Sequence, residues 1–152
     1  MARYFEEFAE GEVQLSPGRT ITETDVVSFA ALSGDWNELH VIAESARKGF
    51  FGQRIAHGAL IYSISTALGA QTDPCKYPRL IAFYGVDRLR FVKPVFLGDT
   101  IRLRQTVQSP EPRDEKSGMV NMLREILNQN EVVTLVYTAK LLVRRRPSSA
   151  SK

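Results

Sequence analysis

The chain has 152 residues, of which 43% are hydrophobic and 24% are charged, and its formal net charge is +3. This length suits one domain with a sizeable core, and the composition is ordinary for a globular protein. The basic excess lies largely in residues 144–146 and Lys152 rather than in a stripe across the fold, so we expect no nucleic-acid partner. The single cysteine, Cys75, excludes an intramolecular disulfide and a cysteine-based metal cluster.

The amino-terminal segment does not resemble a secretory signal. Residues 1–8 carry charges at Arg3, Glu6 and Glu7 and contain no apolar segment. No apolar run in the chain reaches the roughly 20 residues that a membrane-spanning helix needs. We therefore expect a cytoplasmic protein without membrane contact.

The first third of the chain predicts a strand and a capped helix behind a packed amino-terminal arm, residues 1–11. Residues 12–21 are typical of a strand, interrupted by the turn formers of residues 16–18. Residues 22–25 have the Thr-x-x-Asp form of a helix start, and apolar residues at helical spacing follow until Gly34. The first helix is therefore predicted over about 23–32, with Asp35 in a loop just past its end.

Two further helices are predicted in the next forty residues, a short one over 43–48 and a long one over 57–69. The long segment is almost free of charge, and apolar residues nearly surround its axis. A helix that is apolar on nearly all faces is buried on nearly all faces. We therefore predict a central core helix.

The second half of the chain alternates apolar and polar residues with period two, as strands do. The predicted strands are residues 80–84, 86–91, 100–107, 119–127 and 132–143. The Pro-rich segment 109–118 predicts a mobile hairpin tip, and the polar tail 147–152 is predicted to be disordered.

These elements predict one α+β domain over residues 1–146, since the sequence contains neither an internal repeat nor a linker. An apolar helix can be covered on most sides only if an antiparallel sheet curls around it. A sheet wrapped around a central helix is the arrangement of the hotdog fold.

Two segments carry candidate chemistry. Asp35 and His40 lie five residues apart after the first helix, and His57-Gly58 opens the core helix. A carboxylate and an imidazole facing a helix amino terminus can hold a water and polarise a carbonyl at once. This pattern favours hydration or hydrolysis of an acyl compound. Taken alone, Asp35 could also be a turn residue after Ser-Gly.

The sequence resembles MaoC-like dehydratases and (R)-specific enoyl-CoA hydratases. The blocks that carry the resemblance are AALSGDWNELH at 30–40, FGQRIAHG at 51–58 and FVKPVFLGDT at 91–100, with weaker matches at 5–8 and 141–145. Together they cover essentially the whole chain. The first block is fairly specific, because hotdog thioesterases generally lack the paired acid and histidine. The third block recurs widely among hotdog proteins.

The resemblance implies a role for each matching residue. Asp35 and His40 hold the water that is added to a double bond, and Asn37 fixes the geometry of their loop. The backbone N–H of Gly58 faces the thioester oxygen, and Thr66 lines the site. Glycine suits that approach because it has no Cβ.

Three further residues bear on this site. His57 could be a second catalytic histidine, but we expect it to support the turn before the core helix. Together with Asp35 and His40 it could also suggest a metal site, although a third firm ligand is missing and no metal is expected. Glu38 and Ile42 depart from the family, in which proline and aspartate are common at these positions. Neither position carries the chemistry, so the departures concern the loop geometry.

The leading hypothesis is therefore a lyase. It would catalyse (R)-specific hydration of a trans-2-enoyl-CoA to a 3-hydroxyacyl-CoA, or the reverse dehydration, with Asp35 as the base and His40 as the proton carrier. The resemblance implies an acyl-CoA substrate, no cofactor, and a homodimer or higher homo-oligomer. The alternatives are a hotdog acyl-CoA thioesterase and a non-catalytic acyl-CoA binder. The acid–imidazole pair argues against both.

Overall fold

A computed structural model describes residues 3–72 and 79–147 of the chain. The helices are α1 (Glu23–Ser33), α2 (Glu38–Val41), α3 (Ala43–Lys48) and α4 (Gly58–Gln71). The strands are β1 (Val13–Leu15), β2 (Arg19–Thr20), β3 (Leu80–Phe91), β4 (Thr100–Pro112), β5 (Ser117–Leu127) and β6 (Val133–Arg144). Cys75 and all but Pro147 of the predicted tail lie outside the described residues. Within the described part of the chain, no helix is long and apolar enough to cross a bilayer.

The strands form one antiparallel sheet in the order β1-β4-β5-β6-β3, and β2 also pairs with β4. Alternate residues of β4 and β5 are buried, so one face of this sheet covers the core. Residues of α4 belong to the same apolar cluster as the buried residues of the strands. This arrangement confirms the predicted α+β hotdog fold, with α4 as its core helix.

The prediction that α4 is buried on nearly all faces is wrong. Its buried residues are Leu60, Ile61, Ile64, Ser65 and Leu68, whereas Ala59, Ser63, Thr66, Ala67 and Ala70 are exposed. The exposed face consists of small residues, which leave little apolar surface in water. The absence of charged residues therefore did not distinguish this exposed face of small residues from a buried face.

Two strand predictions also need correction. Residues 80–91 form a single strand with irregular register instead of two strands, and Arg88 within it has a φ of 55°. The predicted hairpin tip 109–118 is mostly strand, because β4 continues to Pro112 and only four residues precede β5. Its prolines lie beyond Thr106, the last residue of β4 that pairs with β1. They are tolerated there because a strand edge without a neighbour needs no N–H donor.

The amino-terminal arm packs against the start of β5. The Phe5 ring lies so close to Gly118 that a Cβ at position 118 would overlap it. We expect Gly118→Ala to lower the free energy of unfolding by about 1–3 kcal/mol, as overpacking of a core does. Gly85→Ala is the matched control, because its Cβ would meet nothing within 4 Å, and it should stay within about 0.5 kcal/mol. Urea denaturation measures both, and equal effects would contradict the proposed packing.

Helix α1 begins with a reciprocal cap that the sequence predicted. The Thr22 hydroxyl accepts from the Asp25 N–H at 3.2 Å, and Asp25 accepts from the Thr22 N–H at 2.9 Å. Arg19 lies 2.7 Å from the same carboxylate. Burial raises the pKa of Asp25, but the bonds from Thr22 and Arg19 outweigh it and hold the pKa below its usual value.

We expect Asp25→Ala to lower the free energy of unfolding by about 1 kcal/mol at neutral pH. Because the folded-state pKa of Asp25 is depressed, its contribution is complete above the unfolded-state pKa. It is lost as pH falls through the folded value. Unfolding measured at pH 7 and near pH 3 should therefore show a smaller difference from the parent in acid. The exposed control Glu10→Ala should show little difference at either pH, and a pH-independent loss for Asp25→Ala would contradict this account.

Candidate active site

The loop after α1 places the acid and the imidazole side by side. Gly34 ends α1 in the left-handed region, with a φ of 78°. Asp35 then accepts from the Asn37 N–H at 3.2 Å, and Asn37 caps α2 by accepting from the Leu39 N–H at 3.0 Å. This tight path brings His40 Nε2 to 4.0 Å from Asp35 Oδ2. Asn37 thus lies in the loop between the two residues, and its role in fixing their geometry stays a prediction.

The orientation of His40 is set by a backbone carbonyl. Its Nδ1 lies 2.8 Å from the oxygen of Ile55. A carbonyl can only accept, so Nδ1 carries the proton of this bond. In the neutral ring, Nε2 is therefore the free lone pair, and it is the atom that faces Asp35. The His40 side chain is only 12% exposed, whereas that of Asp35 is 53% exposed and open to a ligand.

His57 is buried beside this pair. It is 2% exposed, and its Nε2 lies 3.0 Å from the backbone oxygen of Asp35. Its ring stacks on that of His40 with centroids 3.8 Å apart. The Nδ1 of His57 is buried and has no hydrogen-bond partner within residues 3–72 and 79–147. His57 therefore contacts both the loop backbone and the His40 ring, and its support of the turn before α4 stays a prediction.

Gly58 is the first residue of α4, so its N–H has no acceptor within the helix and lies at the positive end of the helix dipole. A Cβ at this position would lie 2.8 Å from the Phe91 ring, so a larger residue there would require that exposed ring to shift. Gly58 also borders an apolar cleft of about 440 Å³. The other lining residues are Phe51, Ile55, Ala56, Ala59, Ile61, Phe91, Val92, Lys93, Pro94, Val95, Thr134 and Leu135.

The cleft lining includes neither member of the acid–imidazole pair, and it does not include Thr66. Thr66 is on the exposed face of α4, two turns from Gly58, and its hydroxyl donates to the Ser63 carbonyl at 2.7 Å. The structure thus brings Asp35, His40 and His57 together but not Thr66. A role for Thr66 in lining the site stays a prediction.

The third block that carries the family resemblance, residues 91–100, holds the segment before α4 in place. The Ala56 N–H donates to the Val95 carbonyl at 2.8 Å, and Ile55 forms a bridge with Phe96. Asp99 in turn accepts from the Phe96 N–H at 2.8 Å. The turn formed by this block therefore supports the site through backbone hydrogen bonds. The Ile55 carbonyl that orients His40 escaped prediction because a backbone acceptor leaves no side-chain signal.

Asp35, His40 and His57 are also the described residues that could hold a metal, with ligand atoms within 4.8 Å of one another. One nitrogen of each ring is already bonded to a backbone carbonyl. The two rings are stacked at 28°, so their remaining in-plane lone pairs do not converge on one point about 2.0 Å away. The geometry suits an acid–base pair better than a metal site.

The fold and this site define a hotdog protein with an acid–imidazole pair beside a helix amino terminus. The profile of the MaoC like domain matches residues 5–128, and the chain belongs to this family. The family resemblance inferred from the sequence is thereby confirmed. Relatives in this family include hydratases and dehydratases.

Two relatives illustrate the relationship. Protein MaoC of Klebsiella aerogenes is 42% identical over 120 residues, which are 76% of this chain and 35% of that protein. The chain thus spans about a third of its length. The (R)-specific enoyl-CoA hydratase of Rhodospirillum rubrum is 39% identical over 110 residues, 72% of each chain.

Solved structures agree with this assignment. The monoamine oxidase regulatory protein of Archaeoglobus superposes with a TM-score of 0.90 at 38% identity, covering 97% of this chain and 98% of that one. The R-hydratase PhaJ1 of Pseudomonas aeruginosa superposes with a TM-score of 0.79 at 30% identity, covering 94% and 86%.

The carbonyl partners predict opposite tautomers for the two histidines. In their neutral forms, His40 should carry its proton on Nδ1 and His57 on Nε2. The chain has only two histidines, so long-range ¹H–¹⁵N spectra of labelled imidazoles resolve both without ambiguity. His57→Gln assigns the signals by removing one set. An Nε2–H tautomer at His40 would contradict the bond to Ile55.

Proposed function

We propose that the chain catalyses (R)-specific hydration of trans-2-enoyl-CoA thioesters to 3-hydroxyacyl-CoA, or the reverse dehydration. The observation that carries this proposal is the 4.0 Å gap between Asp35 Oδ2 and His40 Nε2. A single water with hydrogen bonds of about 2.8 Å to each atom fits between them. The pair needs no cofactor to activate that water.

In the proposed reaction, Asp35 removes a proton from the water as its oxygen attacks the β-carbon. The imidazolium form of His40 delivers a proton from Nε2 to the α-carbon. Asp35 is then protonated and His40 is neutral, and passage of the proton across the pair restores both groups. The Ile55 carbonyl accepts from Nδ1 in either charge state, so the ring keeps its orientation throughout the cycle.

Negative charge develops on the thioester oxygen while the β-carbon is attacked. The N–H of Gly58 is the donor proposed for that oxygen. Removal of one such donor costs roughly 3–4 kcal/mol in other enzymes. The apolar cleft beside Gly58 is proposed to take part of the thioester chain, since its lining carries Lys93 as the sole charged side chain.

We further propose that the working form is a homodimer joined along β3. This strand is the last in the sheet and leaves one edge without a neighbour within the described residues. Five large apolar residues near that edge are exposed, namely Ile81, Phe83, Tyr84, Phe91 and Val92. A two-fold dimer would pair the two β3 edges antiparallel and cover them.

We expect Asp35→Asn and His40→Ala each to lower kcat for crotonyl-CoA hydration by about 10²–10⁴-fold, because each removes one proton-transfer group. Loss of the enoyl absorbance measures the rate. Glu38→Gln is the matched control, as it removes an exposed carboxylate from the same loop without touching the pair. Parent-like hydration by either site variant would refute the proposal.

A thiol-release assay with acyl-CoA tests the thioesterase alternative on the same samples. The proposal expects hydration of crotonyl-CoA without release of free CoA. Release of CoA that depends on Asp35, without hydration, would favour hydrolysis instead.

A further inference from the structure

A second cleft, of about 600 Å³, lies at the end of the sheet where β3 begins. Its lining residues are Tyr4, Arg79, Ile81, Glu115, Lys116, Arg144, Arg145, Arg146 and Pro147. Five of them are cationic and one is acidic. Together these nine residues form the cationic cleft. Neither the acid–imidazole pair nor the apolar cleft beside Gly58 shares a residue with it.

Backbone bonds fix the strand ends that carry the cationic cleft. The Arg144 N–H donates to the Arg79 carbonyl at 2.9 Å, and the Arg145 N–H donates to the Lys116 carbonyl at 2.9 Å. These bonds hold the start of β3, the start of β5 and the end of β6 side by side. The guanidinium of Arg79 also lies over the Tyr4 ring, 4.5 Å from its centre.

The positive charge of this cleft is only partly compensated. Arg145 and Arg146 pair with Glu6 and Glu7 at 2.9 and 3.3 Å. Lys116 and Arg144 are exposed and form no ion pair with any residue in 3–72 or 79–147. Grouped cations of this kind, with guanidinium forks among them, suit phosphate oxygens.

The cleft is too far from Gly58 of its own chain to serve that site. From Leu80 to Phe91, which contacts Gly58, β3 spans about 36 Å at 3.3 Å per residue. About 13 bonds separate a CoA sulfur from its nearest phosphate and about 21 separate it from the 3′-phosphate, so the phosphates reach at most about 26 Å from the sulfur. A thioester held at Gly58 therefore cannot place its phosphates in the cationic cleft of the same chain.

Antiparallel pairing of two β3 edges removes this difficulty. The start of one β3 then lies beside the end of the other, so the cationic cleft of one protomer meets the Gly58 end of its partner. We infer that the cationic cleft binds the phosphates of a CoA thioester whose acyl group occupies the partner's site. This inference rests on the proposed function and on the proposed β3 dimer.

The first test separates the phosphates from the rest of the substrate. The double variant Lys116→Glu/Arg144→Glu should raise KM for crotonyl-CoA about tenfold, by loss of charge-assisted contacts, and leave kcat unchanged. Crotonyl-pantetheine lacks the nucleotide and its phosphates, so its kcat/KM should not change. Lys48→Glu, an exposed cation on α3, is the control and should alter neither substrate. An unchanged KM for crotonyl-CoA, or equal losses for both substrates, would overturn the inference.

The second test asks which protomer supplies the cleft. A mixed dimer joins a chain carrying Asp35→Asn with a chain carrying the double variant, and two different tags allow its purification. Its only intact acid–imidazole pair faces the intact cleft of the other chain if the cleft acts across the dimer. A parent-like KM for crotonyl-CoA is then expected. The raised KM of the double variant in this mixed dimer would overturn the assignment across the interface.

A binding measurement keeps the inference apart from the hydration chemistry. If the parent hydrates neither crotonyl thioester, the proposed function fails, and the cleft is tested with adenosine 3′,5′-bisphosphate by calorimetry. About tenfold weaker binding to the double variant than to the parent would support a nucleotide phosphate site. Equal binding to the two proteins, or no binding to the parent, would overturn it.

Discussion

The site depends on one short stretch of backbone, residues 55–57, because it holds the acid–imidazole loop on one side and begins α4 on the other. Its carbonyl at Ile55 accepts from His40, and its N–H at the same residue donates to the Leu39 carbonyl at 3.3 Å. Two residues further, His57 binds the Asp35 carbonyl. The bonds from His40 Nδ1 and to the Asp35 carbonyl therefore both end on the segment whose next residue is Gly58. The placement of Asp35 and His40 relative to the N–H of Gly58 thus depends on bonds to this stretch of backbone.

That stretch is in turn held by the turn that precedes β4. The Ala56 N–H bonds to Val95, and Asp99 closes the turn by accepting from the Phe96 N–H and from Gln129 at 2.7 Å. The block at residues 91–100, which recurs among hotdog proteins, therefore supports residues 55–57. The more specific block at residues 30–40 depends on residues 55–57 in turn. The Pro-Val-x-x-Gly-Asp signal therefore belongs to the support of the fold, whereas the proposed chemistry rests on Asp35 and His40.

The elements whose ends carry a local signal were predictable from the sequence. The Thr22–Asp25 cap and Gly34 gave the limits of α1 to within a residue, and the predicted bounds of α3 agree with the structure. The misses have tertiary causes. Alternation could not show that β4 runs on to Pro112, because an unpaired edge tolerates proline where a central strand does not. The exposed face of α4 was missed because small apolar residues are compatible with either burial or solvent.

The same limit applies to the candidate site. Side chains with recognisable chemistry, Asp35 and His40, were found from their spacing, but the stacking of His57 on His40 depends on where α4 begins relative to the loop. Each stacked ring uses one nitrogen to bond a backbone carbonyl, which leaves His40 Nε2 and His57 Nδ1 without such a bond. His57 Nδ1 is buried away from solvent. Only the His40 nitrogen is left beside an exposed carboxylate. The two imidazoles of the chain thus differ in their surroundings, with that of His40 beside a carboxylate and that of His57 buried behind it.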